Sequence, residues 1–128
     1  MALDEMSPDA MQLGIENKMM GQINLAMAAR QHLNDGGSIT LTSGVLNYDP
    51  IYMGASAAMV NGAIDGFVKA AAIDMPRDIR INVVSPTVIE EAMASYAPYF
   101  RGHVPVKASI AALAYSKSVE GRLTGETI

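Results

Sequence analysis

The fold of this chain is decided by three segments, which read Gly-Gly-Ser-Ile-Thr-Leu-Thr-Ser (residues 36–43), Gly-Ala-Ser-Ala-Ala-Met-Val-Asn-Gly (residues 54–62) and Arg-Ile-Asn-Val-Val-Ser-Pro-Thr-Val (residues 80–88). The first alternates apolar and hydroxyl side chains from Ser38 to Ser43, which is typical of a strand. The second opens a long run of small residues. The third completes a β-branched run over residues 79–84, which is typical of a buried strand. Together they predict a strand, a helix and another strand.

Further helices are predicted on both sides of these segments. A first helix begins at Ser7-Pro8-Asp9, where a capping hydroxyl, a proline in the first turn and a carboxylate at the positive helix end stand together. It ends at the Asn-Asp-Gly-Gly turn of residues 34–37. The remaining predicted elements are a long helix over about 52–75, a short helix over 89–96, a last helix over 106–118 and the start of a strand at 127–128.

The predicted order of elements indicates an α/β fold. Helices and strands alternate, which is typical of a parallel sheet covered by helices. We therefore expect one domain over residues 1–128, with a parallel sheet of about three strands flanked by long helices. A stripe of small residues along the second long helix either packs against this sheet or pairs with a helix of another subunit. The stripe consists of Gly54, Ala58, Gly62, Gly66 and Ala70.

The composition argues against several classes of protein. Half of the 128 residues are hydrophobic but only 5% are aromatic, so the core must be aliphatic, with the ten methionines as packing residues. No apolar run approaches the roughly 20 residues that span a bilayer, and no signal peptide is recognisable. The chain has no cysteine, which excludes disulfides and thiolate metal sites and makes the cytoplasm the expected location. The net charge of −4 argues against binding to nucleic acid.

The three segments resemble consecutive parts of the short-chain dehydrogenase/reductase family. Residues 36–43 resemble the strand that ends in that family's active-site serine, residues 54–62 the helix of its Tyr-x-x-x-Lys pair, and residues 80–88 the strand and loop beside the nicotinamide. The resemblance covers almost the whole chain but only the C-terminal half of the family's fold, which implies a partial Rossmann-like sheet. These residues contain no Gly-rich turn between a strand and a helix. The dinucleotide-binding half is therefore expected to be absent.

The resemblance also implies which residues would carry the chemistry. In the family a serine binds the carbonyl oxygen, a tyrosine exchanges its proton, a lysine one turn later lowers the pKa of that tyrosine, and an asparagine on the long helix supports a water relay. Ser43 matches the serine and Lys18 stands at the asparagine position. The tyrosine position is assigned to Met53 and the lysine position to Ala57. Because methionine donates no proton and alanine carries no charge, the catalytic pair is predicted to be missing.

Two tyrosines are candidates to replace the missing proton donor. Tyr52 is one residue from the expected position, which rotates its side chain by about 100° around a helix, and Tyr48 lies in the preceding loop. Lys18 is the candidate source of positive charge, because a tyrosine without a nearby cation keeps a pKa near 10 and is a poor base at neutral pH. The other interpretation is that both tyrosines are ordinary residues at the rim of a pocket.

The cofactor implied by the resemblance is NADP or NAD. Pro86, Thr87 and Ile89 are the candidate cofactor-binding residues, because the loop in this place touches the nicotinamide in the family. The implied substrate is a small carbonyl compound or alcohol. Since a Gly-rich turn is not found, the chain by itself is expected to bind NADPH and NADH more weakly than micromolar in a calorimetric titration, or to use no cofactor alone.

Two classes of function remain open on these grounds. The first is an oxidoreductase of the short-chain family, divergent or truncated, and the second is a non-catalytic pseudoenzyme or oligomerising remnant of the fold. A homodimer or a higher homo-oligomer is expected in both cases. The edge of the strand that ends at Ser43 and the small-residue faces of the helices would otherwise be exposed.

No metal site is predicted. His32 lies near a helix end, where a cation favours the helix dipole, and His103 lies in a loop of Gly and Pro without a sequence-near ligand. The neighbours Glu90 and Glu91 stand at a predicted helix start, where carboxylates also favour the dipole. These residues are therefore interpreted as structural.

Overall fold

The computed structural model describes residues 1–128 and confirms the α/β fold. Its elements are α1 (Pro8–Gly14), α2 (Met20–Ala29), β1 (Ser38–Thr42), α3 (Ala55–Asp74), β2 (Arg80–Val84), α4 (Met93–Tyr96) and α5 (Ala108–Glu120). A π-helical turn, Ile15–Met19, joins α1 to α2. No helix has the combination of length and apolar character that a membrane crossing requires.

The sheet consists of two parallel strands and one bridged segment. β1 and β2 pair from Ser38 opposite Arg80 to Thr42 opposite Val84. The strand predicted at residues 127–128 pairs only as a single parallel bridge between Val83 and Thr127. Its hydrogen bonds to β2 begin at residues 125–126, and residues 125–128 form no full third strand. The predicted parallel arrangement is confirmed with two strands in place of about three.

The first helix is interrupted, which the sequence pattern did not predict. Its start is as expected, because Ser7 Oγ accepts a hydrogen bond from Ala10 N at 3.1 Å and Pro8 occupies the first turn. The π-helical turn between α1 and α2 then adds one residue to the helical repeat, and Lys18 lies within it. Glycines at positions 14 and 21 flank the turn and weaken the regular helix there.

The core lies between α2, α3 and the sheet. α3 contacts the sheet through Val60, Ile64 and Val68, which follow each other at intervals of one helical turn. Buried aliphatic side chains from the other elements complete the cluster: Ala26, Ile39, Leu41, Ile79, Ile81 and Val83. This small aliphatic core holds α3 in a fixed position across the end of β1.

The small-residue stripe leaves the sheet along the length of α3. Gly54 is buried, and Ala58 and Gly62 are half-buried, but Gly66 and Ala70 are exposed. The prediction that the stripe packs against the sheet is therefore wrong for Gly66 and Ala70. In this part of α3, the larger residues Ile64 and Val68 lie in the core instead. Pairing of this exposed half with another subunit remains a prediction.

Candidate active site

A cavity of ≈ 290 Å³ opens where β1 and β2 end. The carboxyl ends of parallel strands meet at one edge of the sheet, and ligands of α/β folds bind at that edge. Three elements meet there in this protein: the π-helical turn, the start of α3 and the loop after β2. The polar or small side chains that they contribute to the cavity wall are Lys18, Ser43, Ala57, Asn61 and Thr87.

Ser43 follows β1 directly and is almost completely buried. Its backbone N–H donates to Val84 O at 2.9 Å, which extends the β1–β2 pairing by one residue. Its hydroxyl donates to Asp65 Oδ1 at 2.6 Å, and Asn47 Nδ2 donates to Asp65 Oδ2 at 3.0 Å. Hydrogen bonds to a carboxylate are short and strong, so Asp65 fixes the rotamer of Ser43.

Lys18 reaches the same place from the π-helical turn. Its Nζ donates to Ser43 O at 2.9 Å and to Asn61 Oδ1 at 2.8 Å. The side chain as a whole is largely exposed, but the ammonium itself is partly buried between these two acceptors. This desolvation lowers the pKa of Lys18 below 10.5, while the Asp65 carboxylate acts in the opposite direction.

The two positions that the family resemblance assigns to the catalytic pair, Met53 and Ala57, lie at the start of α3. Met53 has a φ of 64° in the turn before the helix, and Ala57 lies in its first turn. The residues of α3 that line the cavity are Ala57 and Asn61. These two side chains are a methyl group and an amide, and neither carries a positive charge.

A lysine and an asparagine from different helices meet at the cavity. The pattern implied by the family resemblance has an asparagine at the position of Lys18 and a lysine at the position of Ala57. Here Lys18 comes from the long helix and Asn61 from α3, and the two side chains are hydrogen-bonded. The positive charge is therefore still present in the cavity but comes from its opposite wall.

The two tyrosines predicted as substitutes do not reach the cavity. Tyr52 lies in the turn before α3 with 82% of its surface exposed, and Tyr48 is 64% exposed beside the other face of Asp65. Tyr52 is not on the helix at all, since α3 begins at Ala55, so the rotation expected for a helical residue does not apply. The tyrosine at the cavity wall is Tyr96, at the end of α4.

The loop after β2 forms the remaining wall. Pro86, Thr87 and Ile89, the candidate cofactor-binding residues, all line the cavity. The loop is held in place because Val45 N donates to Pro86 O at 3.2 Å and Ile89 forms a parallel bridge with Val106. Phe100 adds an aromatic side to the same wall.

The remaining candidates have structural contacts. Glu91 accepts a hydrogen bond from Ala108 N at 3.0 Å and so caps α5, not the short helix that follows it in sequence. His103 Nε2 contacts Asp49 Oδ2 at 3.0 Å and Phe100 edge-on, and His32 is exposed beyond α2. The structure contains no group of three or more His, Cys, Asp or Glu side chains that could hold a metal ion.

Comparison with known proteins places this arrangement in a family. A family model described as Enoyl-(Acyl carrier protein) reductase matches residues 1–119. This chain belongs to the short-chain dehydrogenase/reductase family. Among curated proteins, the short-chain dehydrogenase is similar to Versicolorin reductase 1 of Dothistroma septosporum, with 39% identity over 93 residues, and to Tropinone reductase-like 3 of Erythroxylum coca, with 31% identity over 81 residues.

Solved structures agree with this assignment. The crystal structure of the protein lin1944 from Listeria innocua is 50% identical, with a TM-score of 0.97 over 99% of this short-chain dehydrogenase. A small-chain dehydrogenase in complex with NADPH is 28% identical over 99% of this chain, with a TM-score of 0.86. The chain covers 64% of each of these two structures. The matched segments span 32% and 31% of the two curated relatives, which is about a third of their length.

Proposed function

We propose that this chain forms the substrate side of an NAD(P)-dependent oxidoreductase that interconverts small carbonyl compounds and alcohols. The proposal is carried by one observation: Ser43, Lys18 and the loop of residues 86–89 line a single cavity at the ends of β1 and β2. A cavity of ≈ 290 Å³ suits a small substrate. We further propose that residues 1–128 correspond to the C-terminal half of the family's fold.

The nicotinamide end of a dinucleotide fits the residues present. Pro86, Thr87 and Ile89 would flank the ring, and Asn61 offers an amide at the cavity wall. These residues contain no Gly-rich turn that could bind the phosphates of the cofactor. The chain by itself would therefore hold only part of the cofactor. When bound, the nicotinamide supplies or accepts hydride, while the protein side chains bind and orient the reacting oxygen. Both NADPH and NADH are candidates.

A non-catalytic role is the second candidate. The observation that favours it is that Ala57 and Asn61 occupy the helix face toward Ser43, where neither provides an acid. In this case the fold would be kept for binding or assembly. The cytoplasmic location expected from the cysteine-free sequence remains a prediction under both functions.

The experiment is a turnover assay of the protein as expressed from its own gene. NADPH or NADH oxidation is followed with a panel of small aldehydes and ketones, for the wild type and for Ser43→Ala. We expect the variant to lose about tenfold or more in kcat/KM, because the buried Asp65 carboxylate loses its hydroxyl donor and the cavity wall next to Lys18 rearranges.

Ser116→Ala is the matched control, since Ser116 is an exposed serine on α5. A turnover that is the same in the wild type and in Ser43→Ala would contradict the placement of the site. A folded wild type that turns over none of the compounds with either cofactor would favour the non-catalytic function.

We also propose that the chain forms a homodimer or a higher homo-oligomer. Large apolar side chains are exposed on the outer faces of the helices, among them Leu13, Leu25 and Ile73. β1 pairs only with β2, and its other edge is covered at one residue, where Gln22 bonds to both the N–H and the C=O of Thr42. Exposed apolar surface and an open strand edge favour association.

Light scattering during size-exclusion chromatography tests this assembly. We expect at least a dimer at micromolar concentration, and we expect Leu25→Asp to shift the protein toward smaller species while leaving it folded. A stable, folded wild-type monomer at that concentration would contradict the proposal.

A further inference from the structure

We propose that the Lys18 ammonium binds and protonates the substrate oxygen in this cavity, and that Ser43 acts as a positioning residue whose own proton is directed at Asp65. The inference rests on the proposed oxidoreductase function and assigns the proton donor that the missing tyrosine leaves open. Two observations support it: the direction of the hydrogen bonds around Ser43, and the number of N–H or O–H groups at the cavity that have no acceptor within the protein.

Ser43 already donates its only hydroxyl hydrogen to another residue of the protein. Its hydroxyl donates to Asp65 Oδ1 at 2.6 Å, and Asp65 is 7% exposed. A hydroxyl has one hydrogen and two lone pairs, so Ser43 presents acceptor sites to the cavity. Turning the hydrogen toward a substrate would leave a buried carboxylate with one donor fewer, which is costly. A carbonyl oxygen needs a donor, and Ser43 does not supply it in this arrangement.

Asn61 cannot release a proton. Its Oδ1 accepts the hydrogen bond from Lys18, and its Nδ2 lies against Gly44, where a Cβ atom would approach to 2.9 Å. An amide N–H donates hydrogen bonds but stays protonated throughout the accessible pH range. Asn61 therefore orients Lys18 and does not act as an acid.

Lys18 has one N–H group that does not bond to the protein. An ammonium carries three N–H groups, and Lys18 uses two of them for Ser43 O and Asn61 Oδ1. The two bonds hold Nζ at the cavity wall, where the third N–H is available to a ligand oxygen. A charged donor fixed by two acceptors is the kind of group that stabilises a developing alkoxide.

Reduction of a carbonyl group takes up one hydride and one proton. A bound reduced nicotinamide would supply the hydride to the carbonyl carbon, and the electron pair of the C=O π bond would move onto oxygen. One proton then passes from Lys18 Nζ to that oxygen, which gives the alcohol and leaves a neutral amine. The amine takes a proton from solvent, which reaches it because the Lys18 side chain is largely exposed.

Desolvation of the ammonium suits this role. Partial burial lowers the pKa of Lys18 below 10.5, and Asp65 limits the shift by favouring the charged form. An acid works best when its pKa lies near the working pH, so a lowered pKa makes Lys18 a better proton donor than an ordinary lysine. In the reduction direction the rate should fall as the pH rises through the pKa of Lys18, because the protonated form is lost. In the oxidation direction it should rise.

The test compares Lys18→Met, Lys18→Arg and Tyr96→Phe in the active protein. Lys18→Met should lower kcat by about a hundredfold or more, since a general acid contributes that much. Lys18→Arg keeps the charge but does not give up its proton, so it should preserve KM within a few-fold while kcat falls. Tyr96→Phe removes the tyrosine hydroxyl at the cavity wall. It should lower kcat much less than Lys18→Met does.

A second readout does not depend on turnover. Labelling the protein with ¹³C-lysine gives each lysine a Cε NMR signal that titrates with pH and leaves the ammonium unmodified. The Lys18 signal, assigned by its loss in Lys18→Met, should titrate below the ordinary lysine value of about 10.4 and lower still in Asp65→Asn.

Four outcomes are distinguishable. A wild type without turnover refutes the proposed function and this inference with it. An active wild type whose kcat survives Lys18→Met, or depends on Tyr96, overturns only the assignment of Lys18. A Lys18 signal that titrates at or above the ordinary value also overturns it. The assignment is supported if kcat is lost in both Lys18 variants, if Tyr96→Phe has a much smaller effect, and if the Lys18 signal titrates below the ordinary value.

Discussion

Ile64→Ala is expected to lower the free energy of unfolding by about 2–5 kcal/mol, the range for deleting a buried isoleucine to alanine. Ile64 lies in the middle of α3 and none of its surface is exposed. It packs in the cluster that includes Val60 and Val68 on the same helix and Ile81 on β2. Removing three carbon atoms leaves a cavity at the centre of the only large core cluster, where the neighbouring strands restrict relaxation.

Ile73→Ala is the matched control for this prediction. It changes the same residue type on the same helix, but Ile73 is 86% exposed. Urea unfolding followed by circular dichroism measures both variants, and the control should stay within about 0.5 kcal/mol of the wild type. Equal effects of the two substitutions would mean that α3 does not pack on the sheet as described.

Elements with a strong local pattern were predictable from the sequence. Residues 38–43 and 79–84 were predicted as strands, and β1 and β2 occupy 38–42 and 80–84. Alternating apolar residues and β-branched residues both favour a strand that packs under helices, so the local pattern was sufficient. The π-helical turn was not predictable, because the apolar repeat through Ile15 and Met19 is equally compatible with a regular helix. What distinguishes the two is the contact of Lys18 with Asn61, 43 residues away.

The candidate site was predicted in part for the same reason. Ser43 and Pro86 follow their strands immediately, so the strand ends fix their positions. α3 begins at Ala55 and not at about residue 52, so Met53 lies in the turn before the helix. The signal that would have identified Asn61 and Asp65 is their spacing: they follow Ala57 at intervals of four residues and so share its helix face.

Lys18 and Asn61 explain how the cavity retains a charge without the usual pair. The amide oxygen of Asn61 accepts the hydrogen bond from the Lys18 ammonium at 2.8 Å. A second lysine at position 61 would place a like charge at this distance and repel the Lys18 ammonium. The two side chains therefore form one hydrogen-bonded unit.

Asn82→Ala is expected to destabilise the protein by about 3 kcal/mol, because each buried hydrogen-bonding group left without a partner costs roughly 1–3 kcal/mol. Asn82 lies in the middle of β2 and is completely buried. Its Nδ2 donates to Leu123 O at 2.8 Å and to Ser118 Oγ at 3.2 Å, and its Oδ1 accepts from Glu126 N at 3.1 Å. One side chain thus joins the end of α5 and the C-terminal segment to the sheet.

Hydrogen exchange gives this last prediction a local readout in addition to the unfolding free energy. The amide of Glu126 loses its acceptor in Asn82→Ala and should exchange with solvent much faster, and the amide of Ile128, which donates to Val83 O at 2.8 Å, should follow it. The control is Asn34→Ala, at an exposed asparagine in the turn before β1, which should leave both amides protected. Unchanged protection of residues 125–128 in Asn82→Ala would contradict the prediction. It would mean that the backbone bridge between Val83 and Thr127 holds the C-terminal segment without Asn82.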